Sequence, residues 1–194
     1  MVKNKKIAIA ISNRGRKDVL ENSVYHWQKH YPEAEIIVVE DNDVIARGIS
    51  KTKNICIDKL INTDAYHCFL ADDDIYPTDY LGLYRYVNSP YKHMSYSFEG
   101  ISGDVFIKAV INNHNIFNSP CGCLLYCTKD ILLSGIRYNT VFKVWGMEHK
   151  AFSVEIRRKG FTPYYFIDIV NSDRHFYSYD QHKNIESSVP EHIR

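Results

Sequence analysis

Residues 5–90 repeat one pattern three times: a short apolar run, a polar cluster, then apolar residues at helical spacing. The first run, 5–12 (KKIAIAIS), ends in Ser12, Asn13 and Arg14, with Gly15 as a turn signal. The second, 35–39 (EIIVV), ends in Glu40, Asp41 and Asn42. The third, 66–71 (YHCFLA), ends in Asp72, Asp73 and Asp74. Leu20, Val24, Trp27 and Tyr31 mark a first helix that Pro32 stops. Ile49, Cys56, Ile57 and Leu60 mark a second. Pro77 fits the first turn of a third, with Tyr80, Leu81, Tyr84 and Val87 on one side. Strand–helix alternation predicts an α/β fold, with parallel, buried strands and helices on both faces. In open sheets of this kind ligands lie at the carboxyl ends of the strands, where all three polar clusters fall.

The second half is less regular. Short strands or a hairpin are expected within 92–112, a strand over 121–127, and a short helix capped by Thr128 and closed by Gly135. A helix over 148–159, ended by Gly160, and a β-rich run over 162–170 follow. From Ser172 the chain is polar and reads as a tail, partly disordered without ligand. The 194 residues therefore read as one domain: a regular half at 5–90, a less regular half at 91–170 and a polar tail at 171–194.

The net charge of +1 excludes strong whole-molecule attraction to nucleic acid or anionic membrane. No apolar run approaches the ~20 residues of a membrane span, and the basic start, residues 1–6, precedes a β-like run rather than a signal core. A cytoplasmic protein is expected, or one of the host cytoplasm if the chain is viral. The five cysteines are an odd count, and Cys121, Cys123 and Cys127 lack the ligand pairs of a zinc site. They read as small core hydrophobes.

Three consecutive acids at a strand end repel one another, and a cation would offset that repulsion. Carboxylate oxygens suit Mn²⁺ or Mg²⁺, ions that bridge a protein carboxylate to a diphosphate. An acidic turn capping the next helix is the competing reading. The Gly and closing Glu of an EF-hand are absent, as are GxGxxG, a P-loop, HExxH and GxSxG.

The stretch Phe69-Leu70-Ala71-Asp72-Asp73-Asp74-Ile75-Tyr76-Pro77 resembles the DxD motif of GT-A-fold glycosyltransferases, particularly family 2. Residues 36–42 (IIVVEDN) resemble that group's second strand, and 48–54 (GISKTKN) its Gly-x-x-x-Ala-Arg-Asn helix, with Lys53 in the basic place. Residues 9–14 (IAISNR) resemble the first strand and its nucleotide-facing loop. Residues 142–149 (FKVWGMEH) resemble the later Trp-Gly-x-Glu-Asp segment, with His149 where a second acid is usual. His175, in Asp173-Arg174-His175-Phe176, stands where several such enzymes place a third metal ligand.

The resemblance implies a GT-A (nucleotide-diphospho-sugar transferase) fold, a mostly parallel central sheet flanked by helices, with 5–90 as the nucleotide-sugar-binding half and 91–170 as the acceptor half. It implies a hexosyl- or pentosyltransferase using a nucleoside-diphosphate sugar, a UDP-sugar by preference. Ser12, Asn13, Arg14, Asp41, Lys53, Asp72 and Asp73 would bind the donor. Asp72, Asp74 and His175 would hold Mn²⁺ or Mg²⁺. Trp145 and Gly146 would face the acceptor, with Glu148 as base and His149 as second choice. Burial beside Trp145 is expected to raise the Glu148 pKa towards the working pH. The acceptor is a hydroxyl, on a glycan by preference. The compact size suits a virus or phage. A hydroxylated DNA base is an alternative, not favoured because the basic run 157–159 (RRK) reads as a solvated face. A nucleotidyltransferase and a non-catalytic sugar-binding module are further alternatives.

Overall fold

The computed structural model describes residues 6–41, 48–98, 105–142 and 147–179. Strands β1 (Ile7–Asn13), β2 (Glu35–Glu40) and β3 (His67–Asp72) alternate with helices α1 (Lys17–His30) and α2 (Ile49–Ile61). Then come β4 (Ile75–Pro77), α3 (Leu81–Val87), β5 (His93–Ser95), β6 (Ile107–Ile111), β7 (His114–Phe117) and β8 (Leu124–Thr128). Helices α4 (Lys129–Leu133) and α5 (Glu148–Arg158), strand β9 (Ile167–Ile169), a 3₁₀ turn (Ser172–Arg174) and β10 (Phe176–Ser178) complete the order.

The main sheet runs β2-β1-β3-β8-β5. β1 pairs in parallel with β2 and β3, and β8 runs antiparallel to β3 and β5, so the sheet is mostly parallel in strand direction: four of its five strands point one way and β8 is reversed. The period of two along β1 divides the core. Ile7, Ile9 and Ile11 pack towards α1 and α3, with Trp27, Leu83 and Tyr86. Ala8 and Ala10 face the other layer, where Ile57 and Leu60 of α2, Ile131 of α4 and Phe152 of α5 pack. Helix α2 makes many contacts with β1, as small alanines allow. A second sheet, β6-β7-β9, packs beside β5. Asn112 and Asn113, both at positive φ, form the two-residue turn between β6 and β7.

Two expectations change. The run 35–39 is not a buried strand: β2 is the sheet edge, with one neighbour, and only Val39 is buried along it. Pro77 does not open a helix. It lies in β4, paired with Phe176 of β10, and α3 starts at Leu81 under the side chain of Asp79, which accepts the Leu81 amide at 2.8 Å. Helix α3 turns Gly82, Leu83, Tyr86 and Val87 inward and leaves Tyr80, Leu81 and Tyr84 exposed. Gly82 decides this, because a Cβ there would lie 2.6 Å from the Phe176 ring. Residues 172–178 thus fold against the core rather than trailing from it.

Asp168 on β9 is fully buried and ties three elements. It accepts the Tyr86 hydroxyl and the amides of Ser97 and Ile169, each amide at 2.8 Å. Burial pushes its pKa up to about 7, against the pull of its hydrogen bonds. The folded state therefore binds a proton that the unfolded chain has released, and this contribution falls away as pH rises from about 4 to about 7. Urea unfolding across this range should show stability falling by up to about 1.4 kcal/mol per pH unit from this group, and Asp168→Asn should remove that slope.

Candidate active site

The carboxyl ends of β1 and β3 set the floor of the site. Ser12 donates to Asp72 Oδ1 at 3.2 Å, across the register that pairs the two residues. The carbonyl of Asn13 accepts the Asp41 amide at 2.9 Å, and the Asp41 carboxylate accepts the Gly48 amide at 3.3 Å. Asp41 thus ties the end of β2 to the start of α2. Arg14 is exposed on the same loop. Asn42 lies outside the described residues, as do Trp145 and Gly146.

The three acids part company. Asp73 is buried and ion-paired with Arg16, whose Nε donates to Oδ2 at 3.1 Å. Asp74 is buried and accepts the Ser178 hydroxyl at 2.9 Å. Asp72 keeps the most exposed carboxylate of the three.

Lys53 joins the acidic strand end of the first half to the start of α5 in the second. It lies one turn before Cys56 and Ile57, so the stripe that buries them carries its ammonium inward to the strand ends. Nζ sits 2.7 Å from Asp72 Oδ1 and 3.1 Å from His149 Nε2. His149 Nε2 lies 2.7 Å from Glu148 Oε1. Burial works to lower the Lys53 pKa, but Asp72 and Glu148 more than offset it, so Lys53 stays charged. The expected rise at Glu148 is reversed: burial pushes its pKa up, yet His149 and Lys53 outweigh burial and hold it below the ordinary value. Glu148 is 1% exposed and opens α5, where negative charge is favoured. Its Oε2 atom has no partner among the described residues, and neither has the hydroxyl of buried Tyr138 nearby.

His175 is not gathered to Asp72 and Asp74. Its Nδ1 lies 2.8 Å from Asp79, and its Nε2 lies 3.0 Å from Arg85. Among the described residues no group of three or more His, Cys, Asp or Glu side chains forms a metal site. His67 hydrogen-bonds the Tyr126 hydroxyl inside the core, as a structural histidine does.

Three participants escaped the sequence reading. Arg16 neutralises Asp73. Tyr138 lies edge-on to His149 and exchanges two hydrogen bonds with Asn54, fixing α2 to the approach of α5. Gly122, at φ +95°, seats the His149 ring, since a Cβ there would lie 2.3 Å from Cδ2. A glycine inside an apolar run is the one local signal from which such close approach can be read.

The comparisons agree with this architecture. The catalytic domain of Drosophila β1,4-galactosyltransferase 7, solved with xylobiose, superposes with a TM-score of 0.65 over 92% of this chain and 73% of that one, at 18% identity. The mannosyltransferase of Pyrobaculum calidifontis, solved with GDP-Man and Mn²⁺, gives 0.60 over 82% of this chain and 54% of that one, at 10% identity. The chain has the GT-A fold. The fold reading made from the DxD-like segment thus holds. An uncharacterized glycosyltransferase of Acanthamoeba polyphaga mimivirus is 32% identical over 162 residues, 79% of this chain. The chain spans 60% of that relative's length. No protein-family model matches the chain. Among the described residues no helix is long and apolar enough to cross a membrane.

Lys53→Met should expose the dependence of this site on its ammonium. Removing one partner from a buried pair costs about 3–5 kcal/mol, read by urea unfolding at neutral pH. The Glu148 pKa should rise in this variant, followed by carboxyl NMR. Because the folded-state pKa of Glu148 is depressed, its stabilising contribution is present above the unfolded value and is lost on acidification. The variant should shrink that acid-side loss.

Proposed function

We propose that the chain is a divalent-metal-dependent glycosyltransferase that moves a sugar from a nucleoside-diphosphate sugar, a UDP-sugar by preference, to a hydroxyl of a glycan. One observation carries this reading: Lys53 draws the acid at the end of β3 and the Glu148–His149 pair at the start of α5 into one site, leaving Glu148 Oε2 unpartnered. A donor held at the strand ends and an acceptor hydroxyl on Glu148 would then meet there. The similar proteins support the class of reaction, and a point mutant of the Drosophila enzyme has also been solved with manganese, UDP-Gal and xylobiose.

In this proposal Ser12, Asn13, Arg14 and Asp41 line the base and ribose side. Asp73, neutralised by Arg16, shapes that loop. The carboxylates of Asp72 and Asp74 are hard oxygen donors of the kind Mn²⁺ or Mg²⁺ takes, and His175, held by Asp79 and Arg85, is left out of the set. The metal, when bound, neutralises charge on the departing diphosphate. Lys53 adds a second positive charge at the same place and needs no reorganisation to do so. Glu148, kept ionised by His149 and Lys53, accepts the hydrogen bond of the acceptor hydroxyl and takes its proton as the glycosidic bond forms. Trp145 and Gly146 belong to the acceptor side by their sequence position.

A thermal-shift screen of nucleotide sugars, with and without Mn²⁺, tests the donor. The expected result is stabilisation by UDP-sugars only when metal is present. Asp74→Asn should abolish that metal-dependent shift, and a full shift in the variant would remove Asp74 from the metal site. Glu148→Gln should keep the donor shift while slowing transfer by about 10²–10⁴-fold. Release of pyrophosphate instead of a nucleoside diphosphate would establish the nucleotidyltransferase reading, and donor binding without turnover would establish a sugar-binding module.

A further inference from the structure

Cys121 and Cys123 flank Gly122 just before β8, and their Sγ atoms lie 3.5 Å apart. Side chains two apart on an extended strand share a face, but their Cα atoms lie about 7 Å apart. The sulfurs here converge much closer than that. A disulfide requires an S–S separation of about 2.05 Å, so they need to close by about 1.5 Å. Cys121 is partly exposed and meets a reagent first, with buried Cys123 in reach behind it, whereas Cys56, Cys68 and Cys127 are each 1% exposed. Cys68 and Cys127 face each other across β3 and β8, inside the core and out of reach of a reagent.

The same three residues hold both halves of the candidate site. The carbonyl of Cys123 accepts the Asp72 amide at 2.8 Å. The bare Cα of Gly122 provides the space filled by the His149 ring. Drawing the sulfurs together shifts the Cα of Gly122, which seats His149, and the Cys123–Leu124 peptide unit that follows, whose carbonyl holds the Asp72 amide.

We propose that Cys121 and Cys123 are an oxidation site whose disulfide displaces Asp72 and His149 and so switches the site off. The oxidant is a small-molecule disulfide. Its S–S bond breaks and it leaves as two thiols, taking up the two protons and two electrons that the cysteines lose as their own S–S bond forms. A reducing thiol reverses the exchange. Formation of the bond is independent of the donor chemistry, whereas its consequence for donor binding rests on the function proposed above.

The test uses the full chain treated with oxidised glutathione or oxidised dithiothreitol, followed by alkylation and peptide mass mapping. Two of the five cysteines should escape alkylation, both on the peptide carrying Cys121 and Cys123, which should be lighter by two hydrogens. Cys121→Ser should block this. Hydrogen exchange at the Asp72 amide should quicken by about tenfold in the oxidised chain and return to its original rate on reduction. The metal-dependent donor shift should be lost in the oxidised chain and kept in oxidant-treated Cys121→Ser. No disulfide, a disulfide mapped to Cys68 and Cys127, or unchanged exchange at Asp72 would overturn the proposal. A donor shift that survives oxidation would overturn the switch while leaving the disulfide. A reduced chain that binds no donor would count against the proposed function alone, since the mass and exchange readouts still decide the oxidation site.

Discussion

A buried ammonium governs the arrangement of this protein. Lys53 is 3% exposed, and a lone charge at that depth would cost several kcal/mol. It is tolerated because Asp72 and the Glu148–His149 pair stand against it. Those partners come from the end of β3 and the start of α5, so the charge can be satisfied only when sheet, α2 and α5 are assembled. The same cluster holds Glu148 ionised despite burial, which a carboxylate in an apolar pocket would not sustain alone.

The fold serves this cluster in layers. Parallel pairing of β1 with β3 places Ser12 against Asp72, and the small alanines of β1 let α2 lie close enough to deliver Lys53. The Asn54–Tyr138 hydrogen bonds fasten α2 to the approach of α5, and Tyr138 stacks on Phe152 of α5 at 4.3 Å between ring centres. Gly122 then leaves the space into which His149 fits. The acidic triplet is resolved by different partners for each member, so the repulsion evident in sequence is dispersed: Lys53 for Asp72, Arg16 for Asp73, Ser178 for Asp74.

Much of this was legible because it is local. Short apolar runs ending in polar clusters identified β1 and β3, helical spacing identified α1 and α2, and Gly135 and Gly160 marked helix ends at φ +80° and +81°. The polar residues at the strand ends did converge, and Glu148 came to them. The misreadings arose where a distant element overrides a local cue. Pro77 suits a helix start, yet pairing with β10 claims it for a strand. The apolar run of β2 reads as interior, yet it forms the sheet edge. His175 is a different case: the local sequence shows nothing of the hydrogen bonds by which Asp79 and Arg85 hold its ring.

The sequence by itself determined the α/β alternation, the strand ends at which chemistry gathers, and the residue types that gather there, because side-chain period and turn chemistry act over a few neighbours. Tertiary structure alone decided which acid faces Lys53, that Glu148 is held ionised rather than raised, that His175 is a clamp, and that a glycine between two cysteines seats a histidine. Those outcomes depend on burial and on partners dozens of residues apart, and pair energies of that kind exist only once the chain has closed around them.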